Sequence, residues 1–161
     1  PMIYPKKMQI RCLPLMKVSY NFRVINTFEQ VSFNTEGYQI VNITDSIQRL
    51  VHRHKFVKGL VNLSILHTSA SLTIQENASK DVLNDVKTFL SNLAPETSNY
   101  LHDVEGPDDM PAHLKTLITD TNLTISVASS KLILGVWQGI YLCEWRKCGQ
   151  TRSVIVHLLG E

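Results

Sequence analysis

Two histidines with acidic residues between them form the segment of this sequence that is best suited to chemistry. His102 and His113 enclose four acids, and two of these, Asp108 and Asp109, are adjacent. Imidazole and carboxylate groups bind zinc, manganese, iron and nickel, and they also serve as general acids and bases. The spacing matches no common zinc motif, and the paired acids equally suit a helix that begins at Pro111. The segment therefore predicts a metal or acid–base site or, alternatively, an ordinary helix start flanked by surface histidines.

A second polar segment follows an apolar run that is typical of a strand. His67 ends that run, and Thr68, Ser69 and Ser71 come directly after it. Strand ends that open into polar loops commonly carry functional groups. The three hydroxyl residues could hydrogen-bond an anion through their side chains and backbone N–H groups. The alternative is a β-turn in which the hydroxyls bond only to the local backbone.

A third segment places a tryptophan and a glutamine between two glycines, just before another apolar run. Gly135 and Gly139 enclose Trp137 and Gln138. Glycine permits close approach of the backbone, so this tryptophan could form the wall of a ligand pocket. A core tryptophan beside a glycine bulge is the alternative. Arg146, seven residues downstream of Gly139, is a candidate phosphate ligand because guanidinium binds oxyanions in a fork; otherwise it is a solvated surface charge.

Hydrophobic periodicity predicts helices and strands that do not alternate regularly. A capping box at Asp45 and Gln48 starts one helix, a second runs from Ser79 to just before Pro95, and a short third begins near Pro111. A turn at 147–150 should join the last two strands as a hairpin. This pattern favours an α+β fold with a mainly antiparallel β-sheet or sandwich core and flanking helices. The predicted strands are two within 18–33 and one each at 38–43, 60–67, 123–127, 131–134, 138–145 and 152–159.

Composition and charge narrow the class of protein. The chain has 161 residues, of which 43% are hydrophobic and 19% charged, as expected for one globular domain. A net charge of +2 predicts no general affinity for nucleic acid, and no apolar run is long enough to span a membrane. Three cysteines without a CxxC pair argue against a disulfide framework. We therefore expect a reducing, cytoplasmic location, with an organelle as the alternative.

Four separated motifs follow one another along the chain: HTSASLTIQENA, YLHDVEGPDDMPAHLK, GVWQGIYLCEWR and VIVHLLGE. Together they resemble the YjbQ family, whose members are also called secondary thiamine-phosphate synthases. Motifs in the correct order are more specific than any one of them alone. The resemblance covers residues 18–161 as a single YjbQ-like domain and leaves residues 1–17 as a flexible N-terminal tail. It implies an α+β or sandwich-like fold, assembly into a homotrimer and, in some members, weak thiamine-phosphate synthase activity.

The resemblance also implies roles for individual residues. It predicts a divalent metal, zinc first and magnesium, manganese, iron or nickel otherwise, together with a small phosphorylated molecule as the substrate. Two positions depart from the family pattern, since Val136 stands where threonine is common and Trp145 where histidine is common. The implied metal ligands are His67, His102 and His113; the catalytic residues are Glu76, Asp108, Asp109 and Gln138; the substrate-binding residues are Thr68, Ser69, Ser71, Trp137 and Arg146.

Three classes of function are compatible with these residues. The first is a transferase that joins a pyrimidine methyl diphosphate to a thiazole phosphate and releases pyrophosphate. The chain lacks a P-loop and an acid-rich diphosphate motif, so we expect this activity to be weak. The second is a trimeric protein that binds a metal or an anion without turnover. The third is a metal-assisted hydrolase in which Glu76 or Asp109 acts as the base.

Overall fold

The computed structural model describes residues 24–161. The predicted tail at 1–17 lies outside the described residues, and so does the first part of the strand region predicted from residue 18. Within the described residues, Ile25–Asn34 is one continuous strand of ten residues. No helix between residues 24 and 161 is long and apolar enough to cross a membrane.

Residues 24–161 contain eight strands and three helices. Their order confirms the predicted mixture of elements without regular alternation of strand and helix. The elements are β1 (Ile25–Asn34), β2 (Gln39–Asn42), α1 (Thr44–Arg53), β3 (Gly59–Ile65), β4 (Ala70–Glu76), α2 (Lys80–Leu93), α3 (Asp109–Leu117), β5 (Asn122–Ala128), β6 (Lys131–Leu132), β7 (Gln138–Glu144) and β8 (Thr151–Gly160).

The three helix starts agree with some of the capping predictions and differ from others. Ser79 caps α2 as predicted, because its hydroxyl accepts the N–H of Asp81 at 3.2 Å. The predicted cap at Asp45 is wrong: α1 begins one residue earlier, and the Asn42 side chain accepts the Thr44 N–H at 2.9 Å. α3 begins at Asp109, two residues before the proline at which we expected it to start. That earlier start places Asp109 inside the helix rather than in front of it.

Two antiparallel sheets enclose the core, which confirms the predicted α+β class. One sheet has the strand order β1-β8-β3-β5-β6 and the other has the order β2-β7-β4. Buried and less buried residues alternate along β3, β5 and β8, so each of these strands turns one face to the core. The buried residues of α1, Ile47, Leu50 and Val51, belong to the same core cluster.

The predicted hairpin between the last two strands is wrong, because β7 and β8 belong to different sheets. The link between them crosses from one sheet to the other and lies against the segment after β1. Thr35 N–H donates to Gln150 O at 2.9 Å, and a Cβ at Gly149 would lie 2.2 Å from Thr35 O. A Cβ at Gly37, whose φ is +110°, would likewise meet Lys147 O at 2.1 Å. Glycine at both positions therefore permits the close crossing.

A buried ion pair joins the two sheets at this crossing. Glu144 on β7 and Arg152 on β8 are both buried, and Arg152 Nε donates to Glu144 Oε2 at 2.6 Å. The Thr35 hydroxyl donates to the same carboxylate at 2.8 Å, and its other oxygen accepts the Arg146 N–H at 2.9 Å. The pair thus fixes the end of β7, from which Arg146 extends.

Candidate metal centre

Helix α3 brings one acid and one histidine to the same side. Asp109 and His113 are four residues apart, and side chains with this spacing lie one above the other on a helix face. Asp109 occupies the first turn, where a negative charge interacts favourably with the helix dipole. His102 comes from the irregular segment before the helix. Two consecutive parts of the chain therefore converge on one carboxylate.

The three side chains form a compact group. Asp109 Oδ2 lies 2.7 Å from His102 Nε2 and 3.4 Å from His113 Nε2. One nitrogen or oxygen atom from each residue lies within 4.8 Å of the others. The Asp109 side chain is only 3% exposed, whereas that of His102 is 49% exposed. The group consequently has a buried anion on one side and an opening to solvent on the other.

The hydrogen bond of His113 fixes which nitrogen carries its proton. His113 Nδ1 lies 2.9 Å from Thr68 O, and a carbonyl oxygen can only accept, so Nδ1 must be the donor. In the neutral ring, Nε2 then presents its lone pair toward the Asp109 carboxylate. Two acceptors at 3.4 Å repel each other unless a cation, either a proton or a metal ion, lies between them. Metal-binding histidines characteristically donate their second nitrogen in this way.

The separations suit a tetrahedral ion. Zinc–nitrogen and zinc–oxygen distances of about 2.0–2.2 Å place neighbouring ligand atoms roughly 3.3–3.5 Å apart. The pair formed by His113 and Asp109 already has this separation, at 3.4 Å. The pair formed by His102 and Asp109, at 2.7 Å, is a direct hydrogen bond. The His102 ring would have to move outward by roughly half an ångström for both atoms to bind one ion.

Arg146 binds three residues of the acidic loop at 105–109. Its Nη1 donates to Asp109 Oδ1, its Nε donates to Asp108 Oδ2 at 3.0 Å, and its Nη2 donates to Glu105 O at 2.8 Å. Burial alone would raise the pKa of Asp108, but the Lys147 N–H and the Arg146 guanidinium outweigh it and hold that pKa below its ordinary value. Asp108 therefore stays ionised as a partner of the arginine.

This geometry gives Arg146 and Asp108 partners within the protein. All three guanidinium nitrogens donate to the loop, so Arg146 is a positioning residue. These bonds use three of its five N–H donors, and its predicted contact with phosphate stays a prediction. Asp108 Oδ2 accepts from Arg146 Nε and from the Lys147 N–H at 2.9 Å. Asp109, in contrast, keeps one oxygen directed at both histidines.

Replacing Arg146 with lysine should weaken metal binding without abolishing it. Lysine keeps the charge but cannot reach Asp108, Asp109 and Glu105 at once, because it lacks the planar fork. We expect about 10–100-fold lower Zn²⁺ affinity, the usual loss when an outer partner of a ligand is removed. Competition titration with a chromophoric chelator measures this change. Lys131→Arg, at an exposed position on β6, is the control variant. Unchanged affinity in Arg146→Lys would show that the clamp does not orient Asp109.

His67 lies outside the group, in contrast to its predicted role as a third metal ligand. Its Nε2 accepts the backbone N–H of Ser153 at 2.8 Å, so that lone pair is already used. Burial, followed by the charge of Arg152, lowers the pKa of His67, while Glu144 acts in the opposite direction. The ring therefore stays neutral and connects the segment after β3 to β8. Among residues 24–161, Asp109 is the third member of the cluster.

The hydroxyl residues after His67 divide into buried and accessible ones. Ser71 is fully buried on β4, where it accepts the Trp145 indole N–H at 2.9 Å and the Thr119 hydroxyl at 2.7 Å. This burial corrects its predicted role, because a substrate cannot reach it. Thr68 is exposed and Ser69 half-buried, beside the carbonyl that binds His113. These two remain candidates for contact with a substrate at the metal centre.

The remaining predicted residues lie at the opposite end of the smaller sheet. Glu76 pairs with Gln138 at the far end of β4 from Ala70, which is about 20 Å along an extended strand of this length. Trp137 is 65% exposed, so it is not a core residue. With Glu76 and Gln138 it lines a shallow depression of about 540 Å³. The residues that the sequence predicted as one site thus lie in two separate places within one chain.

Trp145, which stands where the family commonly has histidine, is a buried packing residue. The Trp145 side chain is only 1% exposed, and its indole bonds to Ser71 within a small cluster that includes Leu90, Ala112 and Cys143. A histidine at this position would face the same buried surroundings. Trp145 therefore contributes packing behind α3 and has no path to the metal centre.

The two antiparallel sheets and three helices form an α+β domain, and the sequence of this domain matches one known family. The family model described as "UPF0047 protein YjbQ-like" matches residues 29–161. The chain therefore belongs to the YjbQ, or UPF0047, family, which confirms the resemblance seen in the sequence.

Individual relatives agree with this membership. A UPF0047 protein from Synechocystis sp. is 44% identical over 128 residues, covering 79% of this chain and 87% of its own. The YjbQ protein of Escherichia coli O157:H7 is 39% identical over 132 residues, covering 81% and 94%. The crystal structure of a conserved hypothetical protein from Thermus thermophilus is similar, with a TM-score of 0.73 and 34% identity over 81% of this chain and 99% of that one. These relatives establish the fold and the family.

Proposed function

We propose that this chain is a metal-dependent enzyme whose divalent ion is held by His102, Asp109 and His113, and whose substrate is a small phosphorylated molecule. The observation that carries the proposal is the lone pair of His113 Nε2, which the Thr68 carbonyl directs toward a buried carboxylate. In the neutral ring, this lone pair and the carboxylate repel each other. A cation between the two acceptors relieves this repulsion.

The ligand set favours zinc over the other candidate ions. Two imidazoles and one carboxylate are typical of catalytic zinc sites, which keep at least one coordination position open. Magnesium and calcium prefer sites built from oxygen ligands, so the two imidazoles argue against them. Manganese, iron and nickel accept the same ligands, and elemental analysis of the purified protein would distinguish them.

The residues of the chain itself have defined roles in this proposal. Arg146 and the first turn of α3 orient Asp109, and the Thr68 carbonyl orients His113. The exposed Thr68 and half-buried Ser69 side chains can donate hydrogen bonds to phosphate oxygens that approach from solvent. A bound divalent ion would supply charge stabilisation for a leaving phosphate or pyrophosphate. These features support transfer or hydrolysis at a phosphoryl-bearing substrate.

The finer proposal is a weak thiamine-phosphate synthase, on the strength of family membership. In that reaction the bond between the pyrimidine methylene and diphosphate breaks, a carbon–nitrogen bond to the thiazole forms, and pyrophosphate leaves. The separation of Glu76, Trp137 and Gln138 from the metal centre counts against their direct participation within one chain. We also propose a homotrimer, as the resemblance implies, and sedimentation equilibrium tests that assembly.

Metal-dependent turnover tests the proposed activity. Chelator-treated protein, reconstituted with Zn²⁺, Mn²⁺ or Mg²⁺, should release pyrophosphate from the pyrimidine methyl diphosphate when the thiazole phosphate is present. The apoprotein and the His113→Ala variant should not. Release of phosphate from a simple aryl phosphate ester would assign hydrolysis instead. Tight metal binding without either product would overturn both proposed reactions and favour a protein that binds metal without turnover of these substrates.

A further inference from the structure

A second cleft, of about 430 Å³, lies between α2 and the edge strand β2 and shares no residue with the metal centre. Ile40 of β2, Leu83 of α2 and Tyr141 of β7 supply its apolar lining. The Tyr141 hydroxyl donates to Glu76 O at 2.9 Å, which fixes the ring against the cleft. A cavity of this size with a partly apolar lining suits a small organic molecule.

The helix side of the cleft carries positive charge that no acid in the described part of the chain neutralises. Lys80, Asn84 and Lys87 line it with the spacing of one helix face, and Lys87 is half-buried. Neither Lys80 nor Lys87 takes part in the ion pairs formed between residues 24 and 161. The two acids of the same stretch, Asp81 and Asp85, project from a different face of the helix and do not line the cleft.

The sheet side of the cleft adds an oriented amide donor. Asn42 Oδ1 accepts the Thr44 N–H at 2.9 Å, so the amide NH2 group is turned the other way and its donors remain available. A Cβ at Gly139 would lie 3.1 Å from Asn42 Nδ2, so the glycine provides the room for this amide. Asn42 therefore offers hydrogen-bond donors beside the apolar lining.

We propose that this cleft binds a small phosphorylated organic molecule at a site separate from the metal centre. Its phosphate group lies between Lys80 and Lys87 and accepts hydrogen bonds from the lysines and from Asn42. Its organic part contacts Ile40, Leu83 and Tyr141. A phosphate offers three acceptor oxygens and nearly two negative charges, which matches two unpaired cations and an amide donor better than a carboxylate does.

Titration of metal-free, isotope-labelled protein with phenyl phosphate tests the proposal by NMR. We expect saturable shifts of backbone amides at the start of α2 and along β2. Replacing both Lys80 and Lys87 with alanine should weaken binding at least tenfold, because it removes both charged donors to the phosphate. Phenol should bind poorly because it lacks the charge, and inorganic phosphate should bind less tightly because it lacks the apolar part.

A control variant tests whether the effect is specific to the two lysines of the cleft. Lys131→Ala removes an exposed lysine that does not line the cleft, and it should leave phenyl phosphate affinity unchanged. Equal affinity in the double lysine variant would overturn the proposal. Shifts confined to residues 102–113, or no saturable shift at α2 with millimolar phenyl phosphate, would overturn it too. None of these outcomes bears on metal binding, so the two proposals stand or fall separately.

Discussion

Replacing His113 with alanine should lower the affinity for Zn²⁺ by more than about 100-fold. The loss exceeds the 10–100-fold effect of removing an outer partner because one of three direct ligands disappears. The fold should persist, since the His113 ring is partly exposed and bonds only to Thr68 O and Asp109. Isothermal titration at constant pH measures the change. Affinity of the unmodified protein should also fall on acidification, because protons compete with the ion for imidazole nitrogen.

Two other histidine variants serve as controls for this prediction. His52 is exposed on α1, and His52→Ala should bind zinc like the unmodified protein. His67→Gln tests the ligand role implied by the resemblance, and it too should bind normally because His67 Nε2 bonds to Ser153 N–H. If His67→Gln lost the metal while His113→Ala retained it, the proposed ligand set would be wrong.

Replacing Glu144 with alanine should destabilise the protein by about 3–5 kcal/mol, the usual cost of leaving a buried charge without its partner. The substitution leaves the Arg152 guanidinium, which is 5% exposed, without its carboxylate. It also removes the acceptor for the Arg146 N–H and one acceptor for the Thr35 hydroxyl. The midpoint and slope of urea unfolding, followed by circular dichroism, give the free energy of unfolding.

A double variant separates the charge effect from the loss of packing. Glu144→Met together with Arg152→Met removes both charges and replaces them with apolar groups. Replacing both partners of a buried pair is often nearly neutral. The double variant should therefore be more stable than Glu144→Ala. If it were less stable than the single variant, packing and not an unpaired charge would govern this crossing between the sheets.

Local patterns in the sequence were sufficient to predict most of the secondary structure. The Ser79 cap of α2 and the strand predicted at 152–159 are properties of a few neighbouring residues, and both were predicted correctly. The arrangement of strands depends on contacts between residues that are distant in the sequence. A short link with a glycine looked like a hairpin turn, but Gly149 instead allows the chain to pass close to Thr35 and to change sheets. The contacts of Thr35 with Glu144 and Gln150, more than 100 residues along the chain, hold the crossing in place, and no local pattern reveals them.

The candidate site was predicted only in part, because some of the expected residues are distant from one another in the sequence. His102, Asp109 and His113 lie within one stretch of twelve residues, and helical spacing brings two of them together. Residues on other strands required the register of the sheet. That register places Glu76 and Gln138 far from the histidines and turns Ser71 into the core. The positioning role of Arg146 depends on contacts across about 40 residues of sequence, which no local pattern reveals.

Anomalous X-ray scattering from crystals of the zinc-loaded protein tests the central claim most directly. Data collected on both sides of the zinc absorption edge locate the ion without any assumption about its ligands. The proposal predicts one ordered peak within about 2.0–2.2 Å of His102 Nε2, His113 Nε2 and an Asp109 oxygen, with His67 still bonded to Ser153. A peak at His67, or no peak beside Asp109 at saturating zinc, would contradict it.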